Sequence, residues 1–399
     1  MAPFFLIFLT MLNLALLFPV AIFAAEVLAS LARRHAETAK PDGARPDVAV
    51  IVPAHQEEAG IAGTVNALRA QLRPGDRLLV VADNCTDETA ARARDAGAEV
   101  IERTDPHRRG KGYALDFGVR HLAGAPPPVV IIIDADCTLE AGSVDRLAEQ
   151  VAVSKRPVQG LYLMSAPPGG RLNFQVAEFA CLVKNGVRPA GLHRLGLPCH
   201  LTGSGMAFPW DIIKEAHLAH AHLVEDMKLG LDLALDGTPP LYCEDARIDS
   251  FFPYTDAGAA SQRSRWEEGH LGMIALALRQ LPTALASRSA GAVALTLDVL
   301  VPPLTLLLLL VTGAFIVTAG MTWLFGLASI ALWLSAASLV LLGLAVGVAW
   351  YAYGRKALPA RSLLRLLPYV LGKLKLYGSM AAGGRSRGWV RTDRTRPDA

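Results

Sequence analysis

Apolar residues gather at the two ends of the chain and alternate with polar ones in between. Pro3 to Ala32 is largely apolar, carries no charge except Glu26, and runs straight into Arg33-Arg34-His35. That length suffices to span a bilayer. No positive charge precedes it, as a cleaved signal peptide would require, and Arg33, Arg34, Lys40 and Arg45 place the following segment in the cytoplasm by the positive-inside rule. No charged residue occurs between Val299 and Gly354, which leaves room for two more spans with a break near Ala319 to Thr322. Arg361 to Tyr377 then mixes Leu363, Leu366, Leu367, Val370, Leu371 and Leu374 with Arg365, Lys373 and Lys375. Charges at that density predict a helix lying in the membrane interface rather than another span.

After a polar linker, Ala36 to Pro46, the middle of the chain alternates strand-like and helix-like stretches. Asp47 to Pro53, Arg77 to Ala82, Glu99 to Glu102, Val129 to Ile133 and Val158 to Met164 read as strands. Ala59 to Leu72, Asp87 to Ala96, Lys111 to Leu122 and Ala141 to Val151 read as the helices between them. Val129 to Ile133 is five β-branched residues entered through Pro126-Pro127-Pro128, the pattern of a strand covered on both faces. This half predicts a doubly wound, nucleotide-binding type of sheet. Beyond it the pattern loosens. It predicts helices at Phe174 to Val187, Trp210 to His217, Glu225 to Leu235 and Gln262 to Leu278, with short strands at Leu241 to Cys243 and Ile248 to Phe252.

Composition sharpens this picture in two respects. Hydrophobic residues make up 52% of the 399 and charged ones only 19%, with the apolar excess at the ends. The net charge of +3 is small, and its basic surplus lies near the apolar segments. Contact with a membrane surface therefore fits better than nucleic-acid binding. Cys85, Cys137, Cys181, Cys199 and Cys243 are odd in number and form no C-x-x-C pair, which fits a reducing compartment.

The candidate chemistry sits where strands and helices end. Val129 to Ile133 runs into Asp134-Ala135-Asp136, two carboxylates placed to meet a cation and a phosphate beyond a sheet's carboxyl edge; Asp is also a common turn residue there. The first strand ends in Pro53-Ala54-His55-Gln56-Glu57 without a G-x-G-x-x-G, which disfavours a nicotinamide or flavin enzyme. Asp83-Asn84 reads either as an acid for a base or ribose or as a helix-capping turn. Arg108-Arg109-Gly110-Lys111-Gly112 opens a helix and reads as an anion site or a solvated loop. Glu225-Asp226 opens another, where capping alone is an equal reading. Gln262-Arg263-Ser264-Arg265-Trp266 offers guanidinium for phosphate and indole for a sugar face, or a basic–aromatic cluster beside the membrane. His55, His193, His200, His217, His220, His222 and His270 lack metal-ligand spacing and read as structural or surface residues.

Taken in order, these stretches resemble the membrane-bound, processive-type family-2 glycosyltransferases, the group of cellulose, hyaluronan and poly-N-acetylglucosamine synthases. The resemblance covers Asp47 to Trp266 by motif and reaches in outline to the Trp389 to Arg394 tail. Its departure is Ala82-Asp83-Asn84, where many members carry two acids or Asp-Gly. The resemblance implies an α/β fold of the GT-A, Rossmann-like type with flanking transmembrane helices. It divides the chain into an anchor (1–35), a cytosolic transferase domain (47–280) and a membrane region (281–399), in the inner (plasma) membrane.

The implied activity is inverting transfer from a nucleotide-sugar, most often a UDP-sugar, with Mg2+ or Mn2+. By matching positions Pro53, Glu57, Asp83, Lys111, Asp134 and Arg265 would hold the donor, and Asp136 with Asp134 the metal. Asp226 would be the general base, and Gly203, Ser204, Glu225, Gln262 and Trp266 would face the acceptor. The expected product is an extracellular polysaccharide, built with other synthase or export subunits where the few spans need them. The second reading is a glycolipid formed on a lipid or polyprenyl carrier. A non-catalytic sugar-nucleotide sensor and a nucleotidyltransferase stand behind both.

Overall fold

The computed structural model describes residues 2–33, 45–167, 171–220, 222–326, 330–363, 365, 366 and 378. The linker around 34–44, most of the expected interfacial helix and the Trp389 to Arg394 tail lie outside the described residues.

The chain begins with α1 (Ala2–Ser30) and then alternates β1 (Val48–Ala54), α2 (Ile61–Arg69), β2 (Arg77–Asp83), α3 (Thr89–Asp95), β3 (Glu99–Arg103), α4 (Lys111–Leu122) and β4 (Val129–Ile132). β5 (Thr138–Leu139), α5 (Ser143–Ser154) and β6 (Val158–Ser165) follow. Next come α6 (Leu172–Leu182), a π-helical turn (Val183–Val187) and α7 (Arg188–Arg194), then β7 (Met206–Pro209), α8 (Trp210–Ile213), α9 (Glu225–Leu235) and β8 (Leu241–Phe251). The remainder is helical: α10 (Asp256–Ala286), α11 (Ala290–Val299), α12 (Leu304–Phe325), α13 (Ile330–Ala349), a second π-helical turn (Trp350–Gly354) and α14 (Ala360–Leu363).

Eight strands form one mixed sheet in the order β3-β2-β1-β4-β7-β6-β8-β5. β1 to β4 are parallel neighbours, with Val48 beside Val129 and Ala49 beside Arg77. Strand alternation sends successive residues to opposite faces. Val48, Val50, Val52, Val129 and Ile131 accordingly pack under α2 and α5, whereas Ala49, Ile51, Val130 and Ile132 pack under α4. Both faces are covered, as the continuous apolar run predicts.

Several expectations change. β7 has no counterpart in the sequence reading, yet it lies antiparallel between β4 and β6 and carries the chain across the sheet's centre. The two short strands expected at Leu241 to Cys243 and Ile248 to Phe252 are one, β8, with a register shift opposite Gly160 and Leu161. The break expected near Ala319 to Thr322 falls at Gly326, whose φ of +63° ends α12 in the left-handed conformation that glycine tolerates. The helix expected over Trp210 to His217 stops at Ile213, and that expected over Gln262 to Leu278 extends to Asp256–Ala286.

Among the described residues three helices are long and apolar enough to cross a membrane: Phe4–Ser30, Leu304–Phe325 and Ile330–Gly354. α1 packs on α12 and α13 through Val20, Phe23 and Val27 against Leu307, Val311 and Leu342. Its inner end also carries Glu26, which is bound by Arg188 Nε at 2.6 Å. The same guanidinium bonds Asp298 at the end of α11, and Asp298 Oδ2 lies 2.9 Å from His200 Nε2. A buried ionic knot therefore ties the first apolar helix to α7 and α11. Contact at that junction is close: a Cβ on Gly191 would meet the Glu26 carbonyl oxygen at 1.9 Å.

Candidate active site

The carboxyl ends of β1, β2 and β4 lie side by side because the three strands pair in parallel. Ile133 N–H still donates to Ile51 O at 3.1 Å, so the chain leaves the sheet at Asp134. The Asp134 N–H donates to Ser204 Oγ at 3.1 Å, which pins the triplet to the Thr202–Gly205 loop. The Asp134 carboxylate accepts a hydrogen bond from Lys111 Nζ, which also donates to Gly203 O at 2.7 Å. Lys111 is the first residue of α4, entered through Gly110 at φ +129°. Burial works against its charge, but Asp134, Glu225 and Asp226 outweigh that and hold its pKa above the ordinary value.

Glu225 and Asp226 open α9 opposite this pair. Asp226 Oδ1 accepts from the Met227 N–H at 2.7 Å. Its Oδ2 faces Gly203, where a Cβ would stand 3.3 Å away. Gly203 also adopts φ +94°, so backbone conformation and space both favour glycine between the acid and the lysine. Burial, together with the charge of Asp226, pushes the Glu225 carboxyl up to about 7. Gly112, one residue beyond Lys111, is equally confined: a Cβ would lie 2.3 Å from Leu218 O and 2.7 Å from His220 O.

These groups share one cavity of about 340 Å³. Lys111, Asp134, Gly203, Glu225 and Asp226 line one side of it. Gln262, Arg265 and Trp266 join them from α10, so the Q-x-x-R-W stretch does reach the acids. Gln262 is 2% exposed and its Oε1 has no hydrogen-bond partner among the described residues. Burial lowers the Arg265 pKa, with Glu225 acting the other way. Apolar residues also line the cavity, Pro303 and Leu304 at the head of α12 with Phe23, Val301, Pro302 and Leu307 buried behind them.

The remaining expected residues lie around this cavity rather than in its lining. Asp136 is held from β8, where Ser250 Oγ donates to its Oδ2 at 2.8 Å. Asp134, Asp136 and Cys137 offer ligand atoms within 4.8 Å of one another. Burial, with Asp134 adding to it, pushes the Cys137 thiol up to about 12, so it stays protonated and unsuited to a hard cation. The two carboxylates alone suit Mg2+ or Mn2+, which take oxygen ligands. Pro53 is in β1, paired with Val81, and Glu57 follows in the loop, its N–H donating to Thr89 Oγ1 at 2.8 Å. Asp83 ends β2 and is 6% exposed. Arg103 Nη1 and Asn84 Nδ2 donate to its Oδ1 at 2.6 and 3.0 Å.

The sequence profile of the "Glycosyltransferase like family 2" matches residues 46–269, more than half of the chain and all the acids and cations described above. The chain belongs to glycosyltransferase family 2. An uncharacterized glycosyltransferase of Mycobacterium bovis is 36% identical over 122 residues, 29% of this chain and 51% of the relative. The chain thus spans about half the length of that curated relative. A 4,4'-diaponeurosporenoate glycosyltransferase of Staphylococcus aureus is 36% identical over 105 residues, 25% of this chain and 27% of the relative. Among solved structures, a mannosyltransferase from Pyrobaculum calidifontis in complex with GDP-Man and Mn2+ aligns over 94% of this chain and 98% of its own, at 18% identity and a TM-score of 0.48.

Some residues of this glycosyltransferase site escaped the sequence reading. His220, His222 and His270, expected to be structural or surface residues, line the cavity. Arg103 was overlooked because the third strand was ended at Glu102; the parallel register sets Arg103 directly beside Asp83. Ser250 reaches Asp136 across a separation of 114 residues, which no local spacing reveals.

Proposed function

We propose that the protein transfers a sugar, with inversion, from a nucleotide-sugar to an apolar, membrane-resident acceptor. The observation that carries this reading is the cavity's lining, which joins acids and cations to apolar residues at the head of α12. A carbohydrate chain has little use for Pro303 and Leu304, the part-exposed apolar residues of that lining, whereas a lipid or lipid-linked acceptor gains from their contact. The staphylococcal relative is named for transfer to 4,4'-diaponeurosporenoate, which is not a carbohydrate. Polysaccharide synthesis remains the second reading, favoured by Trp266, whose indole face in the cavity suits a sugar ring.

On the donor side, Asp83 Oδ2 is the oxygen left for a base or ribose, since both of its bonds fall on Oδ1. Lys111 and Arg265 would meet the diphosphate. Asp134 and Asp136 would hold a divalent cation, which supplies positive charge against the leaving group when bound. A hydroxyl of the acceptor attacks the anomeric carbon from the face opposite the diphosphate. Asp226 takes that hydroxyl's proton as the new bond forms, and the diphosphate leaves with the electron pair of the broken bond.

The test uses membranes containing the protein, Mn2+ and a panel of labelled UDP-sugars, with products separated into water-soluble, chloroform-soluble and ethanol-insoluble fractions. Label in the chloroform phase supports the proposal. Label confined to the ethanol-insoluble fraction overturns it in favour of polysaccharide synthesis.

A further inference from the structure

A second cavity, of about 370 Å³, lies between α6 and α14, apart from the one that holds the acids. Arg171, Leu172 and Gln175 line it from the start of α6, and Arg361, Ser362 and Arg365 from α14 and the turn after it. Ser362 is buried and its hydroxyl donates to Gln175 Oε1 at 2.7 Å, which fixes one helix against the other. That bond leaves the Gln175 Nε2 hydrogens to donate elsewhere. The Arg365 N–H donates to Ser362 O at 3.0 Å, so the turn continues past α14 and brings Arg365 round to the side of Arg361. Three guanidinium groups therefore line one cavity.

Among the described residues none of this lining is acidic. Glu178, the one acid of α6, instead accepts from the Ala166 N–H at 2.8 Å. Arg171 is partnered, whereas Arg361 and Arg365 are exposed and form no side-chain hydrogen bond or ion pair with a described residue. Like charges held together repel, and an oxyanion between them relieves the repulsion while accepting charge-assisted hydrogen bonds.

The place of the cavity narrows the choice of anion. Tyr353 Oη donates to Ser30 O at 2.8 Å, so α1 and the π-helical turn after α13 end side by side. Leu358 N–H donates to Gly354 O at 2.8 Å and Trp350 Nε1 donates to Leu358 O at 2.7 Å, which folds the chain back on that turn before α14 begins. Leu172, Leu363 and Leu366 pack against the cluster of Phe23, Val27 and Leu342. The arginines thus stand just beyond the polar ends of Phe4–Ser30 and Ile330–Gly354. With those helices in a bilayer, that is the depth of the phospholipid headgroups.

We propose that Arg361 and Arg365, with Arg171 and Gln175 opposite them, bind the phosphate of an anionic phospholipid. The site is separate from the donor and acceptor chemistry above and rests only on α1 and α13 lying in a membrane. It favours a headgroup of net negative charge over a zwitterionic one, whose own cation the arginines repel. Bound there, the lipid ties α14 to α6 at the membrane surface.

The test is equilibrium binding of fluorescent phosphatidylglycerol to the purified full-length protein in neutral detergent, with phosphatidylcholine and inorganic phosphate as competitors. Phosphatidylglycerol is expected to bind about tenfold or more tightly than phosphatidylcholine. The Arg361→Gln, Arg365→Gln double variant is expected to bring the two lipids within about twofold of each other. The Arg355→Gln, Lys356→Gln double variant removes the same charge from neighbouring positions outside the cavity lining, and its preference is expected to stay within about twofold of wild type. Far-UV circular dichroism and gel-filtration elution check that each variant folds. Arg361→Gln alone, with a loss of about threefold expected, serves where the double variant does not. Equal binding of the two lipids by wild type, or a preference that survives loss of both arginines, overturns the inference. Equal losses in the two double variants overturn the pocket in favour of a diffuse basic surface. Inorganic phosphate competing as well as phosphatidylglycerol overturns the lipid and leaves a free-anion site.

Discussion

Glu225 and Asp226 are adjacent in sequence, and the fold gives them different surroundings: Glu225 is shielded from solvent, whereas Asp226 accepts the Met227 N–H. Glu225 keeps its proton up to about pH 7 because burial and the neighbouring charge both oppose ionisation. Turnover is therefore expected to rise with pH through an inflection near 7 as the second charge appears beside Asp226. In Glu225→Gln that inflection disappears, which a pH–rate profile on solubilised protein will show. The sign for stability is opposite. An acid whose pKa is raised from 4.5 to about 7 binds its proton more tightly when folded, so its contribution declines as pH climbs across that interval and is constant above it. Asp136 has a different role, fixed by Ser250 and separate from the cavity's lining. Asp136→Ala is expected to raise the Mn2+ concentration needed for half-maximal UDP-sugar binding by at least about tenfold. Unchanged metal dependence would count against its place as a ligand.

Elements explain why these side chains meet, and also why part of the site was hidden from sequence. The alternation in Val48 to Val52 and the run Val129 to Ile133 announce two covered strands, and their parallel register brings Asp83 and Asp134 to one edge. β7 could not be read the same way. Met-Ala-Phe-Pro contains no β-branched residue and sits between a glycine-rich loop and a short helix; only pairing with β4 makes it a strand. The place of the histidines was hidden for a related reason. His220 and His222 lack metal spacing, yet the loop carrying them is laid against α4 by Gly112. A methyl group there would have to displace the carbonyls of Leu218 and His220. Gly112→Ala is accordingly expected to cost about 1–3 kcal/mol of stability and to lower turnover more than a surface Gly→Ala change such as Gly60→Ala, which meets nothing within 4 Å. Comparable activity in the two variants would show that the loop's position against α4 is unimportant.

At the scale of the whole molecule, the apolar helices and the transferase domain form one structure. Glu26, Arg188 and Asp298 are separated by 162 and 110 residues, so no spacing rule links them, and the sequence reading saw Glu26 only as a lone charge in an apolar helix. The fold gathers the three in a buried knot beside the cavity wall. Removing the central cation would leave two acids buried without their partner. Arg188→Ala is expected to destabilise the full-length protein by about 3–5 kcal/mol, seen as a lower thermal midpoint in detergent. A midpoint within error of wild type would mean that the knot contributes nothing to holding α1 in place. This union of the domain and the apolar helices brings apolar residues into the lining of the cavity, which supports the lipid acceptor proposed above.

The central claim is that a single carboxylate, Asp226, takes the acceptor's proton in this cavity. Its most direct test is turnover of Asp226→Asn beside wild type, with UDP affinity measured on the same preparations. The account predicts transfer slowed by about 10²–10⁴-fold, with UDP affinity within about twofold of wild type, because the amide keeps the shape and loses the base. Wild-type turnover in Asp226→Asn would contradict it and pass the base to another group.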